Sequence, residues 1–334
     1  MFENVSFPGL FKRFKKQKVL VIGDVMIDTY LWGHVGRVSP EAPVPIVSGV
    51  IEESRLGGAA NVALNLKNMG AVPVLCSVIG DDHRGKMFLE LMEEQNLGDI
   101  GLVMDRHRIT TQKTRIIGGS QHLLRVDEEM DHYLSEAIQE NFIELVSNLL
   151  ESGGFQAMLM LDYNKGVLTP GVISRLTRKA ALVSVSVMAD PRTHSFSSFG
   201  EVKLFSSSYR QTIKGLKLEI RKDKRKELAR AVKALQKKQG IENILVSMGE
   251  EGILVSDGNR PVWLSGTGAE INDITGYYDT LIAVSSLGLL SGLTLQESAA
   301  IASMAACQVC EKTGVMPVDA KKLKSDCKLH FISS

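Results

Sequence analysis

The chain has 334 residues, 44% of them hydrophobic, and its 39 basic residues stand against 38 acidic ones. A chain of this length and apolar content can bury a sizeable core, either as two units or as one large α/β domain. The near-neutral charge gives no electrostatic reason to expect nucleic acid or an anionic membrane as a partner. Apolar runs such as Ala157–Leu161 are too short for a membrane span, and the basic N-terminal segment lacks the long apolar region of a signal peptide. We therefore expect a soluble, cytoplasmic protein.

The four cysteines lie mostly within apolar stretches. Cys307 and Cys310 form a C-x-x-C, but the pair falls in a helical pattern and has no second pair to complete a zinc site. Buried small hydrophobic residues are favoured over a zinc or redox site. The cysteines predict a reducing compartment and no protein-bound metal.

Strand-like and helix-like segments alternate along most of the chain. Strand patterns cover 18–23, 72–79, 156–162, 182–190, 202–205 and 243–248, and helical spacing covers 58–69, 84–95, 135–150, 170–181, 222–239, 279–291 and 295–313. This alternation is typical of a parallel sheet with helices on both faces. Residues 43–52 and 112–127 have β-like patterning without a following helix, and we interpret them as an antiparallel flap laid over the sheet.

Polar residues follow the first predicted strand at the edge where such sheets bind ligands. Asp24 and Asp28 could accept hydrogen bonds from sugar hydroxyls, or they could be turn or capping residues. Gly57 and Gly58 precede a helix, where a glycine pair lets a ligand approach the backbone, and Asn61 would offer its amide to that ligand. The alternative is a tight loop with a capping asparagine.

These motifs together resemble the sugar-binding half of the ribokinase-like (PfkB) carbohydrate kinases. The shared pattern is Gly-Asp-x-x-x-Asp at 23–28 followed by Gly-Gly-Ala-Ala-Asn at 57–61. Further stretches are similar to the bacterial D-glycero-β-D-manno-heptose-7-phosphate kinases, namely 36–47, 114–115, 121–127, 162–166 and 190–192. At position 192 this chain has Arg where that subfamily usually has Lys. The resemblance implies one ribokinase-like three-layer α/β domain over 1–334, with a central, mostly parallel sheet, flanking helices and a small antiparallel β lid formed by about 30–55 and 107–127.

The resemblance also implies a reaction and its participants. ATP would donate its γ-phosphoryl group, with Mg²⁺ and a candidate monovalent cation, to the anomeric hydroxyl of heptose 7-phosphate, a precursor of ADP-heptose and the lipopolysaccharide core. The predicted sugar-binding residues are Asp24, Asp28, Gly57, Gly58 and Asn61. A phosphorylated acceptor needs cations, because guanidinium groups bind phosphate in a bidentate manner, although any one of them is equally a surface charge. The candidates are Arg37, Lys113, Arg115 and Arg125.

A homodimer formed through the lid is a further expectation, since exposed edge strands need cover.

The C-terminal half departs from the family pattern at the phosphoryl-transfer loop. The family's Gly-Ala-Gly-Asp begins a helix, whose N–H groups form an anion hole and whose Asp is the catalytic base. Residues 272–280 place Asp279 at the position of that base, with an anion hole of Gly276, Tyr277 and Tyr278. Glycine suits a close ligand or a positive φ, and tyrosine opposes both. The alternative is that the tyrosine pair packs as a helix start over a closed site.

The predicted nucleotide side shows a second departure. The family's Asn-x-x-Glu aligns with Ser207 and Arg210, and an arginine cannot recruit Mg²⁺ although it could contact phosphates. Ser247, Gly249 and Gly252 resemble the nucleotide-proximal loop. Two functions therefore stand: a working sugar kinase, favoured by Asp279, and a catalytically impaired protein that binds a sugar phosphate.

Other nucleotide-binding folds are not supported by the sequence. It contains neither a P-loop nor a dinucleotide-binding glycine motif. It also has no His-x-Gly-His motif of the nucleotidyltransferase that is fused to some heptose kinases, so we expect nucleotidyl transfer to belong to another protein.

Overall fold

Strands and helices alternate along the chain as predicted. The computed structural model describes residues 2, 5–119, 121–266 and 273–332. Within those ranges the strands are β1 Lys18–Gly23, β2 Val25–Val38, β3 Pro45–Gly58, β4 Val72–Gly80, β5 Gly101–Asp105, β6 Gln112–Gly118, β7 Gln121–Glu128, β8 Ala157–Leu161, β9 Ser186–Asp190, β10 Leu204–Ser208, β11 Ile244–Ser247, β12 Ile253–Ser256 and β13 Val262–Leu264. The helices are α1 Phe7–Phe14, α2 Ala59–Asn68, α3 His83–Glu94, α4 Glu136–Ser152, α5 Pro170–Leu182, α6 Tyr209–Gly215, α7 Arg225–Gln239, α8 Tyr277–Leu290, α9 Leu295–Cys310 and α10 Ala320–Ile332.

The main sheet separates two hydrophobic cores. Its described strands run in the order β13-β12-β11-β10-β9-β8-β1-β4-β5, parallel from β11 to β5 and antiparallel at β12 and β13. Side chains of β1 alternate between the faces: Val19 and Val21 enter one core, and Leu20 and Ile22 enter the other. Burial on both faces explains the continuous apolar pattern of this strand, which is typical of parallel sheets. The predicted arrangement, a mostly parallel sheet with helices on both faces, is confirmed.

Local capping fixes where several helices begin. Asp82, Ser135 and Thr169 accept hydrogen bonds from backbone N–H groups in the first turns of α3, α4 and α5. Thr294 and Glu297 form a reciprocal capping box at α9. In the part of the chain that the structure describes, no helix combines the length and apolarity that a membrane crossing requires.

The predicted flap forms a separate sheet beside the main one. Its order is β3-β2-β6-β7, with antiparallel outer pairs and a parallel central pair between β2 and β6. We call this sheet the lid. It exposes large apolar side chains, with Val38 64%, Ile51 70% and Leu124 56% exposed.

Several predicted boundaries were wrong. The strand predicted over 182–190 begins only at Ser186, because α5 continues to Leu182 and a turn with Ser184 at φ +57° follows. The strand predicted over 202–205 is β10, which spans Leu204–Ser208. Helix α8 begins at Tyr277 instead of Asp279. The second strand, β2, was not predicted over its full length, since the six residues Val25–Tyr30 are all buried and the rest becomes exposed without alternation.

Candidate active site

The carboxyl ends of neighbouring strands bring several aspartates together. Asp24 follows β1, Asp162 follows β8 and Asp190 ends β9, and these strands are adjacent in the main sheet. Parallel strands end at the same edge, which is where open α/β sheets bind ligands. Asp279 reaches this edge from the first turn of α8 and contacts Tyr163, the residue after Asp162.

Asp279 is a partly buried carboxylate held by two donors. The Tyr163 hydroxyl donates to its Oδ1 at 2.5 Å, and the Asn61 amide donates to its Oδ2 at 2.7 Å. Burial raises the pKa of Asp279 above its ordinary value, while these two hydrogen bonds and the nearby Arg192 guanidinium lower it. The carboxylate therefore has a raised proton affinity and a fixed orientation, both of which suit a general base.

The tyrosine pair begins α8 without backbone strain. Gly276 has φ +83° and is the residue before the helix, and Tyr277 and Tyr278 are its first two helical residues. The predicted conflict between tyrosine and a positive φ was wrong, because glycine alone takes that conformation here. Tyr277 is 6% exposed, and its hydroxyl lies 3.5 Å from Ser247 Oγ. The Tyr278 ring packs edge-on against the Tyr277 ring, with 5.2 Å between the ring centres. The pair thus packs at the helix start, as the alternative interpretation proposed, although the cleft beside it is open.

A buried ion pair links two neighbouring strands of the lid. Asp28, a predicted sugar-binding residue, lies on β2, and Arg115 lies on β6. Arg115 Nη1 donates to Asp28 Oδ1 at 2.5 Å, and the two side chains are 11% and 4% exposed. Burial raises the pKa of Asp28, and Arg115 opposes that shift. A Cβ on Gly57 would lie 2.0 Å from Asp28 Oδ2. Gly57 therefore makes room for this carboxylate, and its contact with a ligand stays a prediction.

Asp24 binds the backbone of the loop after β8. Its Oδ2 accepts hydrogen bonds from the N–H groups of Tyr163 at 2.8 Å and Lys165 at 3.0 Å, and its Oδ1 accepts one from Val167 at 3.0 Å. Burial raises the pKa of Asp24, whereas these three donors lower it. Of the two roles left open by the sequence, the structure shows the turn-stabilising one.

Asn61 and Gly58 also make internal contacts instead of facing the cleft. Asn61 is fully buried, and besides donating to Asp279 it accepts a hydrogen bond from Asn65 Nδ2 at 3.3 Å. Gly58 has φ +60°, and a Cβ there would lie 2.6 Å from the Asp24 carbonyl oxygen. The Asn61 amide holds Asp279, and its contact with the sugar stays a prediction.

The predicted phosphate-binding cations fall into two groups. Lys113 pairs with Asp127 at 2.9 Å and with Glu129 at 2.6 Å, and Arg125, 58% exposed, pairs with Asp127. Lys113, Arg115 and Arg125 lie together on the paired lid strands β6 and β7. Arg37 is exposed and nine positions beyond Asp28 on β2, roughly 30 Å at the usual rise per residue. The structure does not bring Arg37 to the other three.

An open cleft of about 960 Å³ separates the lid from the start of α8. Its walls come from β6 and β7, from the loop after β11, and from the residues that precede α8. They are Arg115, His122, Leu123, Leu124, Arg125, Lys222, Met248, Gly249, Glu250, Glu251, Asp273, Ile274, Thr275 and Tyr278. Asn272, part of the motif before α8, lies outside the described residues. The cleft thus adjoins the helix start that carries Asp279.

On the predicted nucleotide side, the structure brings only Gly249 to the cleft. Ser207 is 2% exposed, and its hydroxyl is hydrogen-bonded to Thr212 at 2.8 Å. Arg210 is exposed on α6 and is not part of the cleft wall. Ser247 is 1% exposed beneath Tyr277. Gly252 has φ +103°, and a Cβ there would lie 2.0 Å from the Leu264 carbonyl oxygen, so it is required by the β11–β12 turn.

The described residues do not form a metal site of three protein ligands. Within the described ranges, no group of three His, Cys, Asp or Glu side chains is arranged to hold a metal ion. Ser207 and Arg210 supply no carboxylate at the position where the resemblance implies metal organisation. Glu250, Glu251 and Asp273 line the cleft, and Mg²⁺ in such sites is usually bound by one or two carboxylates together with substrate phosphates.

Three residues of the site were not singled out from the sequence. Tyr163 contacts Asp279, Arg192 lies 4.8 Å from the Tyr163 ring centre, and Lys222 lines the cleft. Burial and the neighbouring acids Asp279 and Asp162 raise the pKa of Asp190 to about 7, although Arg192 opposes the shift. Tyr163 and Arg192 belonged to motifs that resembled the heptose kinases, and that was the available signal. Lys222 fell at the start of the helical spacing over 222–239, which gave no indication of a cleft residue.

Comparison with protein families gives a match over most of the chain. The model described as pfkB family carbohydrate kinase matches residues 16–322. The "Bifunctional protein HldE" of Pelobacter propionicus is 35% identical over 314 residues, which cover 94% of this chain and 64% of that protein. The protein of the same name from a Helicobacter pylori strain is 34% identical over 298 residues, covering 89% of this chain and 64% of its own length. The chain thus spans less than two thirds of these curated relatives.

Solved structures give the same fold at low sequence identity. Escherichia coli phosphofructokinase-2 in complex with fructose-6-phosphate has a TM-score of 0.74 and 15% identity, covering 93% of this chain and 98% of that one. Arabidopsis thaliana ribokinase, complexed with ribose and ATP, has a TM-score of 0.69 and 18% identity, covering 92% and 98%.

Proposed function

Because the chain belongs to the pfkB family of carbohydrate kinases, we propose that it uses ATP to phosphorylate a sugar phosphate. The proposed acceptor is heptose 7-phosphate and the product is heptose 1,7-bisphosphate, a precursor of ADP-heptose. Support for the heptose comes from the stretches at 36–47, 121–127 and 162–166 that resemble the heptose kinases. A cytoplasmic location is part of this proposal.

The partly buried Asp279 carboxylate, fixed by two hydrogen bonds, is the observation that carries the proposal. It lies in the first turn of α8 and directly follows Tyr278, which lines the cleft of about 960 Å³. The anomeric hydroxyl would give its proton to Asp279 while its oxygen attacks the γ-phosphorus, and the bond between that phosphorus and the bridging oxygen of ADP would break. The N-terminus of α8, 14 residues long, would stabilise the charge on the transferring group through its dipole and its first N–H groups. The N–H of Tyr277 is an exception, because it donates to the Ile274 carbonyl oxygen at 3.2 Å. ATP carries Mg²⁺ on its phosphates when bound, and a monovalent cation remains part of the expectation from the resemblance.

The lid supplies support for a phosphorylated acceptor. Arg115 and Arg125 are directly opposite each other on β6 and β7, and both line the cleft. Like charges facing each other across a strand pair are unfavourable, so an anion between them would be stabilised by both. Asp28 and Asp127 partly neutralise this pair in the absence of ligand. We assign Arg115 and Arg125 to the acceptor phosphate, with Lys113 beside them.

A second candidate function is sugar-phosphate binding without transfer. Tyr278 lines the same cleft as Gly249, a residue of the loop that resembles the family's nucleotide-proximal loop. Ser207 and Arg210 have replaced the residues that would organise Mg²⁺. These two features favour impaired transfer without affecting the acceptor side.

We also propose a homodimer formed through the lid. Its exposed apolar side chains, such as Val38 and Ile51, support this assembly.

Calorimetry tests the binding half of the proposal. Heptose 7-phosphate and ATP–Mg²⁺ are titrated separately into the protein, with unphosphorylated heptose as the matched control ligand. We expect both substrates to bind, and heptose to bind at least ten-fold more weakly than its phosphate, because the two arginines then lack an anion. Equal affinity for the two sugars would contradict the assignment of the lid arginines.

A further inference from the structure

Tyr163 occupies a position that neither the motif nor the proposed reaction explains. It follows β8 directly, and its side chain crosses the carboxyl edge of the sheet to reach α8. The contact joins residues 116 positions apart, so it belongs to the assembled site and not to a local turn. A surface or packing role would not require its hydroxyl, which lies 2.5 Å from Asp279 Oδ1.

Both ends of this residue are fixed. Its backbone N–H donates to Asp24 Oδ2 at 2.8 Å, which anchors the loop to the end of β1. Its ring is covered by the Arg192 guanidinium at 4.8 Å, within the range of a cation–π interaction. The ring therefore has little freedom to rotate its hydroxyl away from the carboxylate.

We propose that Tyr163 is a positioning residue that holds the Asp279 carboxylate through its hydroxyl, and that Arg192 keeps the tyrosine ring in place. The proposal rests on the assignment of Asp279 as the base. Asn61 holds the other carboxylate oxygen at 2.7 Å, so the two donors together fix the plane of the carboxylate. Each carboxylate oxygen has a second lone pair, which leaves room for the proton of the acceptor hydroxyl.

The direction of the hydrogen bond follows from the environment. Burial and the nearby Asp279 carboxylate raise the pKa of Tyr163 well above its ordinary value of 10. The phenol therefore stays protonated and donates. A donated hydrogen bond stabilises the ionised form of Asp279 against the cost of burial, so its loss must raise the pKa of Asp279.

The test compares Tyr163→Phe with the wild-type protein and with Tyr133→Phe. Tyr133 is 49% exposed on the surface, which makes it a matched tyrosine control. The first measurement is the pH dependence of kcat/KM. We expect its acid limb to move upward by about one to two pH units in Tyr163→Phe, the size associated with one hydrogen bond to a carboxylate, and to stay unchanged in Tyr133→Phe.

The second measurement does not depend on activity. Carbon-13 NMR of aspartate carboxyl groups, with the Asp279 signal assigned from Asp279→Asn, gives the pKa of Asp279 directly. We expect the same upward shift in Tyr163→Phe. An unshifted Asp279 signal, or a loss of rate that is equal at every pH, would overturn the positioning role. A wild-type protein without any transfer would instead reject the proposed function, and the NMR titration would still decide the role of Tyr163.

Discussion

Removing Arg115 should lower the free energy of unfolding, because Asp28, its partner in the buried lid ion pair, is then left unpaired. As whole residues, Asp28 is 3% exposed and Arg115 9% exposed. Either charge left alone therefore stays inside the protein. Breaking a buried pair by removing one partner typically costs about 3–5 kcal/mol, because the remaining charge is unpaired and desolvated. We expect Arg115→Met and Asp28→Asn each to lower the free energy of unfolding by about that amount. The double variant should lose at least about 2 kcal/mol less than the sum of the two.

The loss of unfolding free energy in Arg115→Met should depend on pH in a defined direction. Burial already raises the pKa of folded Asp28 above 3.8, and Arg115 opposes the shift, so Arg115→Met must raise that pKa further. An acid with a raised folded pKa binds its proton more tightly in the folded state, and folding then gains stability as the pH falls through that pKa. The Arg115→Met deficit should therefore be full at neutral pH and should shrink as the pH drops toward 3.8.

Urea unfolding followed by circular dichroism measures these free energies at several pH values. Arg125→Met is the matched control, because that arginine is 58% exposed in its pair with Asp127, and exposed pairs contribute at most about 1 kcal/mol. The reasoning is refuted if Arg115→Met costs no more than Arg125→Met, or if the two single losses add fully in the double variant.

Three further predictions follow from the site and the lid. Tyr278→Ala removes a ring from the cleft wall while Tyr277 stays in the core. It should raise the single-turnover rate of phosphoryl transfer about ten-fold or more. An unchanged rate would mean that the ring does not obstruct the transferring phosphoryl group. Asn61→Ala should lower kcat and raise the pKa of Asp279 without changing sugar affinity, and calorimetry showing weaker sugar binding would return Asn61 to the sugar pocket. Ile51→Asp places a charge on the apolar lid surface and should convert a dimer to a monomer in sedimentation experiments, whereas a monomeric wild-type protein would contradict the proposed dimer.

Much of the fold was predictable because it depends on local patterns. The strand at 18–23 and the helix at 84–95 were predicted within one residue of their observed ends, since continuous apolar runs and amphipathic spacing are properties of short segments. The strand β2 could not be predicted in the same way. Its first six residues are all buried and its last five are all exposed, so it has no single period.

The position of Asp279 was predictable, but the partners of the polar residues were not. Gly-Asp and Gly-Gly motifs locate residues at a sheet edge without showing what each side chain contacts. The Asn61–Asp279 contact joins residues 218 positions apart and the Asp28–Arg115 contact residues 87 positions apart. A carboxylate that binds three backbone N–H groups, as Asp24 does, has the same sequence pattern as one that binds a sugar. Only the assembled structure distinguishes these roles.

The measurement closest to the central claim is phosphoryl transfer from ATP to heptose 7-phosphate, followed by phosphorus-31 NMR, in the wild type and in Asp279→Asn. The account predicts a new anomeric phosphate signal that is lost in the variant, together with unchanged binding of heptose 7-phosphate to both proteins. Tight binding of heptose 7-phosphate without any transfer by the wild type would contradict the kinase proposal and establish a sugar-phosphate-binding protein. Equal transfer by the two proteins would contradict the role of Asp279 as the base.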